Sequence, residues 1–482
     1  MQITAHRSGA GKMAPCSRDP AMTAVTAPSS VSGQPRDALF ARYDGNAPRY
    51  TSYPTAVEFS NAVDEDVVAG WLREIDLAER LSVYVHIPFC ERLCWYCGCN
   101  TRAVRNPALI SEYIAILADE LALVEAALPG RPTAGAIHLG GGTPNKLSRD
   151  DLGALFRALR HVFKVAPGAE IAAELDPSVL TREWVMAAAF HGLSRASVGV
   201  QDLSPHVQEA VNRHEPFEVV ERAVGWLREA GMRSINFDLM YGLPRQRTVD
   251  VISTLDKVLT LRPERLALFG YAHVPWAKPH QKLIDASELP GASERLDQSE
   301  AAAGKLVADG YVRIGLDHFA LPDDPLAVAL AEGRLRRNFQ GYTADPHMTL
   351  IGLGASSISR LPQGFCQNDA SELGWRRRVQ EGRLPVVRGV ALTDEDRFRG
   401  EIIETLMCRR TVDLAAVCAR HGRSMEDLAG EQAALRTMAA DGILSVTGDA
   451  VEVTPLGEPL IRTVARVFDL RSGAQSRFSR VL

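Results

Sequence analysis

The chain has 482 residues, 46% hydrophobic and 23% charged, enough for one large core and one or two further units. Its 54 Lys and Arg against 59 Asp and Glu give a net charge of -5, which disfavours nucleic acid as a main partner and leaves room for a local basic pocket. No apolar run is long enough to span a bilayer and no charged-then-apolar leader opens the chain, so a soluble, cytoplasmic protein with no membrane partner is expected.

Residues 1–36 are rich in Ala, Ser, Thr, Gly and Pro without apolar period and read as a disordered tail. A segment over 37–80 is expected to pack on the barrel formed by residues 81–320, because Arg49–Ala56 (RYTSYPTA) is too aromatic for a linker. From 81 to 320, short β-branched or apolar runs alternate with amphipathic stretches. The runs are Leu81–Ile87, Ala136–Leu139, Glu170–Leu175, Ala196–Val200, Ser234–Met240 and Leu266–Tyr271. Helical periodicity fills the gaps, as in Ser111–Leu128, where Ile114, Leu117, Leu121 and Val124 share a face. Six strand–helix repeats imply parallel strands with right-handed crossovers, and six are too few to close an eight-fold barrel. The expected fold is therefore α/β, an open partial (β/α)6 TIM-like barrel, with Tyr311–Phe319 as an added strand and 321–390 as a barrel extension on the substrate side. Residues 391–482 read as helices, then a hairpin over Ile443–Pro455 turning at Gly448-Asp449, then a last helix. That outline is winged-helix-like, and a structural or lid role is expected for it over contact with DNA.

Four of the eight cysteines fall within ten residues, Cys90, Cys94, Cys97 and Cys99, while Cys16, Cys366, Cys408 and Cys418 are scattered and read as small buried hydrophobes. Cys90, Cys94 and Cys97 have the spacing C-x3-C-x2-C, so one loop can wrap three thiolates round a cubane and leave the fourth iron open to another ligand. Tetrahedral zinc on all four is disfavoured, since zinc ligands usually come as pairs from separated segments. A ferredoxin has a different cysteine spacing.

In parallel barrels the active site gathers at the C-terminal strand ends. There the sequence sets the cysteine loop, Gly140-Gly141-Gly142-Thr143-Pro144, Glu174, Gln201, Asp238 and Ala272-His273 at or just after the ends of successive strands, a coincidence of position that points to binding.

On these residues the chain resembles the radical S-adenosylmethionine superfamily, whose defining motif is C-x3-C-x2-C. The resemblance implies a [4Fe–4S] cluster on Cys90, Cys94 and Cys97, with adenosylmethionine chelating the open iron and yielding a 5′-deoxyadenosyl radical. Within the superfamily the chain is similar to the oxygen-independent coproporphyrinogen III oxidase family. The matching stretches run from about residue 40 to the C-terminus and include RYTSYPTA, Tyr84–Asn100, His138–Pro144, Glu174–Pro177, Val198–Asp202, Asp238–Pro244, Asp317–Ala320 and Asn338–Thr343. This likeness implies that Tyr84, Tyr96, Gly141, Gly142, Thr143, Glu174, Gln201, Arg213, Asp238, Ala272 and Ile358 line sites for two adenosylmethionine molecules. Tyr84 and Cys99 are the catalytic candidates, Cys99 as a thiol outside the ligand set. The implied reaction is oxidative decarboxylation of two propionates of coproporphyrinogen III to vinyl groups, in haem biosynthesis, by a monomer that draws on a separate electron donor. Arg49, Arg336 and Arg337, flanked by Tyr50, Tyr53 and Phe339, are candidates for holding the substrate's carboxylates. The rival within the superfamily is a haem carrier that does not oxidise coproporphyrinogen; a rival from another class is a zinc-stabilised nucleic-acid-binding protein.

Overall fold

The computed structural model describes residues 36–471, 473 and 478–481; the expected tail, and Cys16 with it, lies almost wholly outside them. Six parallel strands form the centre of the molecule: β1 Arg80–Ile87, β2 Thr133–Gly141, β3 Lys164–Leu175, β4 Arg195–Gln201, β5 Ser234–Tyr241 and β6 Arg265–Gly270. They lie side by side in chain order, as helical crossovers between consecutive strands demand. Local chemistry sets where those helices begin. Asn106 caps Pro107–Ala127 by accepting from the Ala108 amide, with Pro107 in the first turn, where its missing N–H costs nothing. Ser148 and Asp151 form a reciprocal capping box on Arg149–Val162.

The sheet is larger than the six strands expected. At the β6 edge it continues antiparallel through β7 (Val312–Ile314) and β8 (His318–Ala320). The single strand expected over Tyr311–Phe319 is thus a tight hairpin, because Gly315-Leu316-Asp317 breaks the run. At the β1 edge it gains β9 (Leu350–Leu353), parallel to β1, and then β10 (Ile358–Leu361), β11 (Gly364–Asn368) and β12 (Val386–Ala391), antiparallel. The order β12-β11-β10-β9-β1-β2-β3-β4-β5-β6-β8-β7 leaves the curved sheet open.

Two large apolar cores result. One joins the barrel strands and helices, with Val83, Val85, Leu139, Leu155, Val198 and Phe237 all essentially inaccessible. The other is built on the helix Asp394–Arg409, from Phe398, Ile402 and Leu406 with Val412, Leu460 and Val464. The N-terminal segment is shared between them: Val63, Val68 and Leu72 join the barrel core, whereas Leu39, Phe40, Tyr50 and Tyr53 join the C-terminal one. The hairpin Leu444–Thr447 with Ala450–Val453 forms as expected, and Thr411–Asp413 pairs with it as a third strand. Buried Arg462 clasps the two ends of the described chain, donating to the carbonyls of Pro48 (3.1 Å), Arg480 (2.9 Å) and Ser479 (3.2 Å). Among the described residues, no helix is long and apolar enough to cross a membrane.

Candidate active site

β1 ends at Ile87, and the loop after it carries the four cysteines. The backbone at Phe89–Cys90 pairs with Arg102–Ala103, which closes the loop at its base. The interior of the loop is held by side chains from two other parts of the fold. Asn212 donates to the Leu93 carbonyl at 3.2 Å, Gln281 to Tyr96 at 3.0 Å, His280 to Cys97 at 2.7 Å and Lys278 to Cys99 at 3.0 Å. Trp95 and Tyr96 rest on an apolar patch of Val207, Val211, Leu243, Tyr271 and Ile284. The loop is therefore preformed, with its thiols turned to one side.

Those thiols line one cavity. Cys90, Cys94, Cys97 and Cys99 share it with Tyr96, Gly141, Gly142, Thr143, Glu174, Gln201, Arg213 and Asp238, which brings together most of the residues singled out from sequence. Cys90 Sγ lies 3.1 Å from Thr101 Oγ1, and Arg213 Nη1 lies 3.6 Å from Cys94 Sγ. A hydrogen bond from Cys99 lowers the Cys97 thiol to about 7, while burial raises Cys90. Cys99 itself is exposed at the cavity rim. Cys366, Cys408 and Cys418 are buried apart from the site, as expected of small hydrophobes.

Opposite the thiols, the chain after β2 must pass without side chains. Gly141 has φ +110°, and a Cβ there would meet the His86 ring at 2.5 Å; a Cβ on Gly142 would meet Thr101 Oγ1 at 2.6 Å and the Phe89 carbonyl at 2.7 Å. The Gly141 amide donates to Glu174 at 3.0 Å, and His138 Nε2 lies 3.2 Å from the same carboxylate. Recession into the barrel alone would raise the Glu174 pKa, but His138 and that amide outweigh it and hold it below the usual carboxylate range. At the end of β5 the balance is reversed. Burial lifts Asp238 to about 6 despite hydrogen bonds from Ser197 and Asn236, both at 2.8 Å, with the Glu174 charge adding to the rise.

Tyr84 lies beneath the glycines, stacked on His138 with centroids 5.9 Å apart. Its hydroxyl is 3.0 Å from His86 Nδ1, while His86 Nε2 is 2.9 Å from the Asn100 carbonyl. A carbonyl only accepts, so Nε2 carries the proton and the Tyr84 hydroxyl donates. Burial lowers the pKa of His86 and so favours this neutral tautomer.

Besides Tyr84, two residues singled out from sequence stand outside the cavity. Ala272 lines a neighbouring cavity of ≈ 450 Å³ with Arg49 and Tyr241, tied to the cysteine loop because Gln281 donates to both Ala272 and Tyr96. Ile358 lies on β10 in an apolar cluster with Phe339 and Phe365, and the Gly352 backbone separates it from Tyr84. The site also contains Thr101, His138, Asp176 and Ser197, which sequence reasoning does not single out; Asp176, directly after the end of β3, and His138, three residues before the end of β2, have a positional signal.

The donor set fits an iron–sulfur cluster with an amino-acid ligand. Three thiols stand on one wall, bare glycine backbone and a carboxylate on the other, and the buried Arg213 Nε has no hydrogen-bond partner. This fold and site define a radical S-adenosylmethionine enzyme: residues 84–258 match the Radical SAM superfamily model, and residues 392–460 match the HemN C-terminal domain.

The chain is 45% identical to the oxygen-independent coproporphyrinogen III oxidase of Bradyrhizobium diazoefficiens over 88% of its own length and 94% of that relative's. Against the protein of the same description from Synechocystis the figures are 37%, 92% and 97%. A solved structure described as coproporphyrinogen III oxidase (HemN) from Escherichia coli, a radical SAM enzyme, superposes with a TM-score of 0.84 at 36% identity, covering 88% of this chain and 97% of that one. The chain belongs to the oxygen-independent coproporphyrinogen III oxidase family.

Proposed function

We propose that the protein converts two propionate side chains of coproporphyrinogen III to vinyl groups without oxygen, giving protoporphyrinogen IX for haem biosynthesis. In each conversion a propionate loses a hydrogen atom from its β-carbon, carbon dioxide and one electron. The observation that carries this reading is the convergence of Cys90, Cys94 and Cys97 with Gly141, Gly142, Glu174 and Arg213 on one cavity in a chain of this family. Bound there, a [4Fe–4S] cluster and adenosylmethionine supply a hydrogen-abstracting 5′-deoxyadenosyl radical.

The residues of the chain do the rest. Cys90, Cys94 and Cys97 hold the cluster, while the cysteine loop's four side-chain supports fix its place. Glu174, kept ionised, is an acceptor suited to a ribose diol. The bare backbone after β2 admits a carboxylate. Arg213 brings a fixed positive charge beside the thiols. Gln201 and Asp238 line the cysteine cavity and Ala272 the neighbouring one, where a second adenosylmethionine is accommodated, and likeness to the family assigns Ile358 to the same pair of sites. Tyr84 and Cys99 complete the reacting surroundings. The same reading makes the protein a cytoplasmic monomer that takes electrons from a separate donor.

The test is an anaerobic assay with coproporphyrinogen III, adenosylmethionine and a reductant. Protoporphyrin fluorescence after oxidation, with two molecules of 5′-deoxyadenosine per product, is expected. A cluster-loaded protein that forms no protoporphyrin but binds haem would be a carrier, and the proposal would fall.

A further inference from the structure

The three arginines singled out from sequence are engaged within the protein. Arg336 forks Glu404 at 3.3 and 3.2 Å. Arg49 donates to the Gly270 carbonyl at 3.0 Å and lies 3.9 Å from Asp317. Arg337 is 5% exposed, stacks 4.2 Å from the Tyr342 ring centroid and donates to the Arg49 carbonyl at 3.3 Å; its Nη1 is buried without a partner.

A cavity of ≈ 610 Å³ opens between Tyr50–Tyr53, β10 and the helix Asp394–Arg409. Six arginines and three carboxylates line it. All three carboxylates are paired, Asp396 with Arg471, Glu401 with Arg420 and His421, and Glu404 with Arg336. One arginine differs from the rest. Arg360, on β10, is half-buried and its side chain makes no hydrogen bond or ion pair among the described residues; its guanidinium lies over Phe365, 5.8 Å from the centroid. Phe339 meets the same ring edge-on at 5.8 Å. A half-buried cation with no ion pair of its own, the neighbouring carboxylate of Glu404 being taken by Arg336, in a cavity that Arg337 also lines, is a site for a carboxylate from outside the chain.

Position indicates which carboxylate. Arg360 lies two strand residues beyond Ile358, so the two side chains share a face about 7 Å apart. A carboxylate held in a charge-assisted pair is stabilised as the anion and resists leaving as carbon dioxide. We propose that Arg360, with Arg337, holds a propionate that the reaction leaves intact, and so positions the macrocycle against Phe365 and Phe339 beside Ile358. The assignment rests on the reaction proposed above and names a positioning residue for it.

The test uses the cluster-loaded enzyme titrated anaerobically with coproporphyrin III and with protoporphyrin IX, whose two carboxylates are the retained ones. Arg360→Gln is expected to raise both Kd values by about tenfold or more. It should also raise KM for coproporphyrinogen III by a like factor with kcat little changed, while the cluster absorbance matches the wild type. Arg360→Lys, which keeps the charge but not the fork, should fall between; it also serves if the Gln variant does not fold. Unchanged Kd and KM in both variants would overturn the assignment. So would weakening confined to coproporphyrin III, since the residue would then hold a reacting propionate. A wild-type enzyme that forms no protoporphyrin would refute the proposed reaction instead.

Discussion

Arg213 sets Nη1 3.6 Å from the sulfur of Cys94 and Nη2 2.8 Å from the carboxylate of Glu215, so one buried cation serves both the cysteine loop and a fully buried acid. Replacing it with Gln leaves Glu215 uncompensated, a loss of about 3–5 kcal/mol at pH 8. Burial already lifts Glu215 to about 7, so the loss should shrink at pH 6, where the carboxyl takes up a proton. Urea unfolding at both values reads the effect. The double variant Arg213→Gln/Glu215→Gln should recover most of the stability, and a double variant no more stable than the single one refutes the pairing.

Cys99 stands at the rim, hydrogen-bonded to Cys97, beyond the spacing of the three proposed ligands. Cys99→Ser should therefore keep its iron and sulfide and its cluster absorbance while turnover falls at least tenfold. Cys94→Ser, by contrast, should lose the cluster. Equal iron loss in the two variants would show that the ligand set has been drawn wrongly.

Glu120 is buried in the helix Pro107–Ala127 and accepts from the Gly354 amide (2.8 Å), Trp375 Nε1 (3.0 Å) and Asn368 Nδ2 (2.6 Å). Burial raises its pKa from 4.5 to about 7 against those three donors. The folded state thus holds the proton more tightly than the unfolded one. Its contribution is complete below pH 4.5 and is lost as pH rises towards 7, a fall on the order of 3 kcal/mol. Glu120→Gln removes the titration. Its stability should be nearly flat over that interval in denaturant titrations, and a profile parallel to the wild type would exclude Glu120 as the source.

The strand–helix core is legible in the sequence because each parallel strand is a short run rich in apolar and β-branched residues, and the crossover helices between them show an apolar stripe. Apolar periodicity places the helix start at Ser111, four residues late, because the Asn106 cap and Pro107 extend the helix backwards. The four added strands from Leu350 to Ala391 escape the pattern because they are only four to six residues long and carry Gly352, Gly364 and Gly389, which dilute the alternation. Site residues just past a strand can be placed by counting strand ends. Arg360 cannot, since an arginine in a short polar strand looks solvated until the sheet sets it against Phe365. Arg336 fails in the opposite way: its neutraliser, Glu404, is 68 residues distant in sequence.

The clasp at Arg462 bears on the order of assembly. Ala47 and Pro48, immediately before Arg49 and the wall of the basic cavity, are fastened by a side chain near the C-terminus and by the backbone at Ser479–Arg480. All three thiols of the proposed cluster, by contrast, lie within the first hundred residues. During synthesis the cysteine loop is therefore made hundreds of residues before Arg462, so the strand of chain leading into Arg49 gains its fastening only after the whole barrel has emerged.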